Sequence, residues 1–340
     1  CQASMVTTTW GYGGNKLMIT ARAHTNIALV KYWGKKDQKL IIPQTDSLSL
    51  TLNEFYADTG VEFRDDLTAD DIEIDGQPVT GHSAEKVKDF LDHIRQISGN
   101  HNYAKVISTN HVPVSAGLAS SASAFAALAT AASKAAGLNL DRRSLSRLAR
   151  RGSGSATRSI YGGLVEWHRG TDDQSSFAEP IMEKVDFGIE MIAILINTTK
   201  KKISSRQGMQ SSVESSPYYP TWRKVVAHDM VAMKEAISNK DIDQIGHIAE
   251  ENALRMHALT LSADPGYTYF NGDTIHAIQA INDLRSQGVS CYYTMDAGPN
   301  VKVIYDQKDR KKIVQYLGNL FGKERLIISQ PGPGVEIIDK

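Results

Sequence analysis

Alternating hydrophobic and polar positions are frequent in the first half of the chain, and long amphipathic stretches are frequent in the second. Alternation with a period of two is typical of a half-buried strand, because successive side chains point to opposite faces of a sheet. This pattern and short apolar runs predict strands at residues 19–30, 47–52, 61–63, 71–74, 104–109, 164–167, 190–197, 289–294, 301–305 and 326–329. Strands are therefore expected in both halves.

Apolar residues three and four positions apart predict helices between these strands. The predicted helices lie around residues 87–97, from Gly117 to Gly137, and around 142–149, 222–237, 242–259, 274–285 and 308–320. Two local signals support their boundaries: Gly99 ends the first helix and Asp141 caps the third. Because strands and helices mix throughout, with no evident internal repeat, we expect an α+β fold.

The chain changes character near Lys200, where a basic and then a polar stretch precedes the long helices. We therefore predict an N-terminal lobe over residues 16–198 and a C-terminal lobe over 199–340, meeting at a cleft. Residues 1–15 are polar and rich in Gly and Thr, unlike a secretory signal. We interpret them as an artificial or flexible N-terminus and leave them out of the fold prediction.

Charge and composition narrow the classes of partner. Lys plus Arg equals Asp plus Glu at 38 each, so no overall basic charge favours nucleic acid or a membrane surface. No apolar run approaches the ~18–20 residues that a membrane helix needs. The two cysteines, Cys1 and Cys291, cannot form a disulfide framework. A cysteine count this low is typical of proteins in the reducing cytosol. We expect a cytoplasmic protein acting on small molecules.

Residues 113–124, PVSAGLASSASA, form a small-residue turn that runs straight into an alanine-rich segment. Gly117 and its small neighbours would let backbone amides approach a ligand closely. Ser120 and Ser121 add hydroxyls at a helix N-terminus, where unpaired amides and the helix dipole favour an anion. Phosphate is the anion we expect; the alternative is an ordinary capped helix with close packing.

Four further segments carry polar groups that a fold alone would not require. They are residues 23–35, 150–159, 200–209 and 293–301. Each has a structural alternative: in chain order, a strand end with snorkelling lysines, a disordered linker, a solvated charge run and a turn aspartate. The order in which the segments occur along one chain carries more information than any segment alone.

The small-residue turn resembles the P-x3-G-L-x-S-S-A signature of the GHMP kinase superfamily, with Ala119 where Gly or Ser is usual. K-Y-W-G-K (31–35), R-G-S-G-S-A-x-R-S (151–159), S-S-R-x-G-M (204–209) and M-D-A-G-P-N-V-K (295–302) accompany it. This set resembles the mevalonate diphosphate decarboxylases of that superfamily, of the bacterial, Gram-positive type. The resemblance implies a two-lobed GHMP-kinase-like fold with mixed or antiparallel sheets, an active site in the cleft, and a homodimer.

The resemblance covers nearly the whole chain and implies ATP-dependent conversion of mevalonate 5-diphosphate to isopentenyl diphosphate, ADP, phosphate and CO2, with Mg²⁺. A β-hydroxy acid does not readily lose CO2, because the released electrons have no acceptor. Phosphorylating the tertiary hydroxyl supplies a leaving group. The enzyme must then hold a carboxylate, a diphosphate and a transferring phosphoryl group, which requires cations and few acids. The motifs supply four cations, Lys31, Lys35, Arg158 and Arg206, and a single acid, Asp296.

The resemblance also implies roles for single residues. Asp296 would orient the substrate hydroxyl and take its proton, Arg158 would bind the carboxylate through a planar fork, and Ser205 would lie near the diphosphate. Lys31 completes the expected catalytic set. The other substrate positions are Tyr32, Trp33, Gly34, Lys35, Ser153, Gly154, Ser155, Ala156, Thr157, Arg206 and Met209. The ATP positions are Ser108, Asn110, Ala116, Gly117, Leu118, Ala119, Ser120 and Ser121, and the last two would also face Mg²⁺.

Two alternative functions stay open from the sequence. A mevalonate or phosphomevalonate kinase would share the small-residue turn, but is not expected to carry S-S-R-x-G-M together with M-D-A-G-P-N. A nucleic-acid-binding protein could use basic patches at 142–158 and 200–206, although zero net charge and absent stacking motifs oppose it. The histidines show no spacing typical of a transition-metal site. His24 and Cys291 are expected to be packed rather than reactive.

Overall fold

The computed structural model describes residues 18–111, 120–196 and 203–338, and for Ser120 the backbone alone. Within these ranges the chain forms eight α-helices and fourteen strands, arranged in sheets of eight, four and two strands. This mixture confirms the predicted α+β fold class. The N-terminal segment and the lobe boundary at residue 198 lie outside the described residues, so the division into lobes stays a prediction.

The eight-stranded sheet is built around two long strands, β1 (Ile19–Val30) and β4 (Ser47–Arg64), which pair antiparallel. A separate hairpin joins β2 (Lys35–Asp37) to β3 (Ile42–Pro43). The shorter strands of the large sheet are β5 (Asp71–Ile74), β6 (Gln77–Pro78), β7 (Tyr103–His111), β8 (Leu164–Trp167), β9 (Ala178–Met182) and β14 (Glu336–Ile337). The order is β14-β1-β4-β7-β5-β6, with β8 beside the first part of β4 and β9 beside β8.

Strand β4 differs from the prediction, which placed two short strands at residues 47–52 and 61–63. The structure has one strand of 18 residues. Its first part pairs with β8 and its second part with β7, and its pairing with β1 shifts register between His24 and Asn26. A register shift changes which side chains face the core, so the alternation is lost in the middle of the strand.

Three helices accompany this sheet: α1 (Gly81–Ser98), α2 (Ser120–Ala135) and α3 (Arg142–Gly152). Helix α2 packs on β1 and β4, where fully buried alanines allow close approach, and α1 and α3 pack on α2. As predicted, Gly99 ends α1 in a left-handed conformation with φ 70°. Asp141 caps α3 by accepting a hydrogen bond from the amide of Ser144.

The segment 150–159 is ordered, so the linker alternative is wrong. It continues from α3 into a 3₁₀ helix, Gly154–Ile160. Arg150 is fully buried and donates to the backbone carbonyls of Leu40 and Ser176. These bonds hold the segment against the β2–β3 hairpin and the start of β9, which gives its serines and arginine fixed positions.

The second half of the chain forms an antiparallel sheet in the order β11 (Cys291–Met295), β12 (Val301–Asp306), β10 (Ile189–Ile194) and β13 (Leu326–Ser329). Its helices are α4 (Ser205–Ser215), α5 (Tyr219–Ser238), α6 (Ile242–Leu261), α7 (Gly272–Ser286) and α8 (Arg310–Phe321). Helix α4 was not predicted. Ser204 and Gln207 form a capping box at its start, a signal hidden inside the basic run.

One hydrophobic core joins the two halves. It contains Leu48 and Leu50 of β4 together with Met230 of α5 and Met256 of α6. Strand β1 packs directly on α6, so the C-terminal end of β1 lies against the second half of the chain. No helix in the described part of the chain is long and apolar enough to cross a membrane.

Candidate active site

A cavity of about 230 Å³ lies between elements from both halves of the chain. The end of β1 and the 3₁₀ helix line it from one side, and the start of α4 and the residues after β11 line it from the other. The predicted site residues that line it are Lys31, Tyr32, Trp33, Lys35, Ser121, Ser153, Gly154, Ser155, Arg158, Ser205, Arg206, Met209 and Asp296. Motifs far apart in the sequence therefore share one cavity.

Asp296 directly follows β11 and is held by two lysines. The Lys31 Nζ lies 2.8 Å from its Oδ1, and the Lys302 Nζ lies 3.1 Å from its Oδ2. Both lysine side chains are 2 % exposed, whereas the Asp296 side chain is 26 % exposed and accessible from the cavity. Burial raises the pKa of Asp296, but Lys302 and Lys31 outweigh burial and hold the pKa well below its usual range. Asp296 is therefore an ionised acceptor at neutral pH.

Lys31 is fixed through both its backbone and its side chain. Its Nζ also donates to the Ala28 carbonyl at 2.7 Å, and its amide donates to the Asn252 side chain of α6 at 2.8 Å. Asn252 in turn donates to Asp229 of α5. Burial lowers the pKa of Lys31, against the attraction of Asp296. The end of β1 is thus tied to two helices of the other half, which sets the distance between Lys31 and Asp296.

Arg158 projects from the 3₁₀ helix and is almost fully buried. Its Nε donates to Asn26 at 3.2 Å and its Nη1 to Ser47 at 2.5 Å, both neutral partners. No carboxylate in the described ranges forms an ion pair with it. Burial lowers the pKa of Arg158 to about 10, so it stays cationic at neutral pH. A buried cation facing the cavity without a charged partner is prepared to bind a carboxylate.

A second group of cations, Lys35, Lys86 and Arg206, lines the same cavity. None of the three makes an ion pair with a carboxylate among the described residues. Burial lowers the pKa of Lys35 to about 8, and Arg206 and Lys86 add repulsion. Burial and Arg206 likewise lower the pKa of Lys86 to about 8. Three adjacent cations that repel one another favour a multiply charged anion between them.

Serine hydroxyls form a row beside these cations. Ser121, in the first turn of α2, lies 3.2 Å from Ser153 between the two Oγ atoms, and Ser153 lies 3.4 Å from Ser155. Hydroxyl oxygens at a helix N-terminus suit phosphate oxygens and a hard cation such as Mg²⁺. Asp296, the one carboxylate that lines the cavity within the described residues, is already bound by two lysines. The residues therefore fit a magnesium ion held chiefly by phosphate oxygens.

Some predicted positions do not line the cavity. Gly34 has φ 117°, and a Cβ there would collide with the Tyr219 hydroxyl, which donates to the Trp33 carbonyl. Ala156 and Thr157 are fully buried within the 3₁₀ helix. These three positions shape the wall rather than the cavity surface.

The predicted nucleotide positions on β7 are also apart from the cavity. Ser108 lies 2.9 Å from the Thr59 hydroxyl, and Asn110 donates to Asp75. Their contact with a nucleotide stays a prediction. The phosphate turn itself, Ala116, Gly117, Leu118 and Ala119, lies outside the described residues, as does the Ser120 side chain.

Several residues of the site were missed from the sequence, among them Asn26, Lys86, Met256 and Lys302. Asn26 lies inside the segment 23–35 and Lys302 inside the motif 295–302, and a polar side chain within each strand was a signal that could have found them. Lys86 and Met256 lie on α1 and α6, in segments whose helical periodicity alone was considered. His24 and Cys291 are packed as expected: the His24 ring lies against the Leu52 carbonyl and Cys291 is buried.

The family of the chain follows from comparison with known proteins. Residues 23–178 match the family model of the diphosphomevalonate decarboxylase-like N-terminal domain, and residues 191–331 match that of the mevalonate 5-diphosphate decarboxylase C-terminal domain. The diphosphomevalonate decarboxylase of Candida albicans is 33% identical over 316 residues, covering 88% of this chain and 87% of that protein. The chain belongs to the diphosphomevalonate decarboxylase family.

Two further similarities describe the range of this family. The phosphomevalonate decarboxylase of Haloferax volcanii is 29% identical over 94% of this chain and 98% of that protein. The solved structure of MDDEF in complex with MVAPP, AMPPCP and magnesium has a TM-score of 0.91 and 45% identity, covering 95% of this chain and 99% of that one. Membership of the decarboxylase family disfavours the kinase and nucleic-acid-binding alternatives. ATP and magnesium belong to the chemistry of this enzyme class.

Proposed function

We propose that this chain catalyses the ATP-dependent decarboxylation of mevalonate 5-diphosphate to isopentenyl diphosphate, releasing ADP, phosphate and CO2. One observation carries the proposal: among the described residues, a single ionised carboxylate, held by two lysines, shares a cavity with an arginine that has no acidic partner. A further group of unneutralised cations lies in the same cavity. The charges match a substrate with one hydroxyl, one carboxylate and one diphosphate.

Asp296 orients the tertiary hydroxyl of the substrate toward the nucleotide. Two lysines make it a weak base, so its main contribution is to accept the hydroxyl hydrogen bond and fix the direction of attack. Phosphoryl transfer proceeds through a loose transition state, in which the hydroxyl keeps its proton until late. A weak, well-oriented acceptor is therefore adequate, and it receives the proton once the phosphate ester has formed.

Arg158 binds the substrate carboxylate through its planar guanidinium. Asn26 and Ser47 hold the arginine in one orientation, so the carboxylate is held in register with the phosphorylated carbon. When phosphate departs, the carbon–carbon bond to the carboxylate breaks. Its electron pair forms the double bond, and CO2 is released. Arg158 positions the group that leaves, and Lys31 adds positive charge beside it.

The cations Lys35, Lys86 and Arg206 bind the diphosphate of the substrate, together with Ser205 at the start of α4. Ser121 faces the phosphates of ATP, and Ser153, in hydroxyl contact with it, faces the substrate. Gly117 stays an ATP position implied by the sequence motif. A bound Mg²⁺ would neutralise charge on the nucleotide phosphates at this end. The homodimeric state and the cytoplasmic location implied by the resemblance complete the proposal.

The test is an assay of the purified protein with ATP, magnesium and mevalonate 5-diphosphate, in which CO2 and ADP are measured together. Equal amounts of both products are expected, and neither in the absence of substrate. Mevalonate and mevalonate 5-phosphate serve as parallel substrates, since the Haloferax relative is a phosphomevalonate decarboxylase. ADP formation without CO2 would support a kinase instead, and turnover of the monophosphate alone would move the chain to the other activity in its family.

A further inference from the structure

Lys302 is a buried lysine that contacts Asp296 but is not part of the cavity wall. It lies on β12, paired in register with Thr294 of β11, while Asp296 begins the turn that joins the two strands. Its Nζ lies 3.1 Å from Asp296 Oδ2 and 3.5 Å from the Asn300 carbonyl. The side chain is 2 % exposed. Burying an ammonium group in this position is costly, so a compensating role is expected.

The two lysines on Asp296 differ in their access to substrate. Lys31 binds Oδ1 and lines the cavity, so it can contact a ligand directly. Lys302 binds Oδ2 and does not line the cavity. Lys302 therefore reaches the reacting groups through its hydrogen bond to Asp296, while its charge also repels the neighbouring Lys31.

We propose that Lys302 is a positioning residue, which fixes the Asp296 carboxylate in the orientation that phosphoryl transfer requires. This inference rests on the proposed function of the site. With an ammonium group on each oxygen, the carboxylate cannot rotate about its Cβ–Cγ bond. The cavity-facing lone pairs then stay directed at the substrate hydroxyl.

Lys302 also helps to keep this carboxylate ionised. The charged and titratable groups around Asp296 are Lys31 from the end of β1, Lys302 from β12, Arg158 from the 3₁₀ helix and His257 from α6. Burial lowers the pKa of His257 to about 3, so this ring is neutral and does not titrate in the working range. Burial raises the pKa of Asp296 and Lys302 is the strongest opposing influence, so removing Lys302 raises that pKa.

Lys302→Met is the informative variant, because methionine keeps the length and apolar volume of the side chain and removes the charge. The cluster of two lysines and one aspartate then becomes a neutral pair, so the variant should fold with little change in melting temperature. We expect kcat to fall by about 10–100-fold while KM for mevalonate 5-diphosphate changes by less than about threefold. The acid limb of the kcat profile should move to higher pH.

Two further variants separate positioning from packing. Lys302→Arg keeps the charge at the same carboxylate and should recover activity and the original pH profile, at least in part. Arg310→Met is the matched control, since it breaks the ion pair of buried Glu190 in the same sheet without touching Asp296. It should lower the melting temperature and leave the pH profile unchanged.

The outcomes are distinguishable from a failure of the proposed function. If the wild-type protein does not decarboxylate mevalonate 5-diphosphate, the proposed function itself is wrong. If the wild-type protein is active and Lys302→Met keeps its kcat within about twofold with the same acid limb, Lys302 does not position Asp296. A Lys302→Met protein that is merely unstable, with Lys302→Arg equally impaired at every pH, would show a packing role and overturn the inference.

Discussion

The two charged regions of the cavity differ in how far the protein neutralises them. Around Asp296, each carboxylate oxygen has its own buried lysine, at 2.8 and 3.1 Å. Around Lys35, Lys86 and Arg206, no described carboxylate forms an ion pair, and burial together with mutual repulsion lowers the pKa of both lysines. The first region is organised before any ligand arrives, whereas we expect a bound anion to neutralise the second.

This difference assigns different tasks to the two regions. A preformed cluster keeps a reacting group in one orientation and one protonation state, which affects the chemical step. A group of unneutralised cations gains stability when a diphosphate binds, which affects binding. Substitutions near Asp296 should therefore lower kcat. Substitutions of Lys35, Lys86 or Arg206, here called the outer cations, should mainly raise KM.

The largest expected effect comes from removing the preformed acceptor. Asp296→Ala should reduce kcat by at least about 10³-fold, because nothing then orients the substrate hydroxyl. It also leaves Lys31 and Lys302 without their shared carboxylate, so the melting temperature should fall. Steady-state kinetics, ATP binding and thermal unfolding are measured together, with Asp306→Ala on the same sheet as the control. A kcat within tenfold of wild type, or about 1.4 kcal/mol of barrier, contradicts the assignment.

Arg158→Lys should have the next largest effect, about 10²-fold in kcat/KM. Lysine keeps the positive charge but loses the planar fork and the bonds to Asn26 and Ser47 that orient it. Arg206→Lys is the comparison, since Arg206 is exposed and belongs to the outer group. Similar kinetics for both variants would mean that Arg158 supplies charge alone.

Because of Lys35 and Lys86, substrate binding should weaken as the pH becomes alkaline. The pKa values of Lys35 and Lys86 are both lowered to about 8, so these lysines are charged below pH 8 and lose their charge above it. The dissociation constant for mevalonate 5-diphosphate, measured by calorimetry without ATP, should therefore rise by about tenfold between pH 7 and pH 9.5. Lys35→Arg should flatten that rise, because arginine stays charged. Affinity that is constant across this range would place the diphosphate elsewhere.

The smallest expected effects come from two serine substitutions, which distinguish the substrate site from the ATP site. Ser205→Ala should weaken a substrate analogue by a few-fold and leave ATP affinity unchanged, because Ser205 starts α4 beside Arg206. Ser121→Ala, in the first turn of α2, should show the opposite preference. Fluorescence titration with each ligand measures both constants. If Ser205→Ala weakens ATP alone, the start of α4 has been assigned to the wrong ligand.

Local sequence patterns predicted most of the helices and strands. They failed where the local signal conflicts with the pairing or packing in the folded chain. The periodicity located β1, β5, β8 and β13 at their observed bounds. It divided β4 in two, because the register shift beside His24 disturbs the alternation. It also missed α4, whose capping box at Ser204 is surrounded by charges that look solvated.

By itself the sequence determined which residues are candidates for the chemistry. The motifs around Lys31, Arg158, Ser205 and Asp296 are short, ordered and rich in cations, and they were enough to predict one cavity with one acid. Tertiary structure decided how those groups are charged and which neighbours act on them. Lys302 approaches Asp296 across a hairpin, and Lys86 comes from a helix that carries no motif. The charge of each group depends on its burial and on its distance from other charges. Burial and these distances are set only when remote segments pack together.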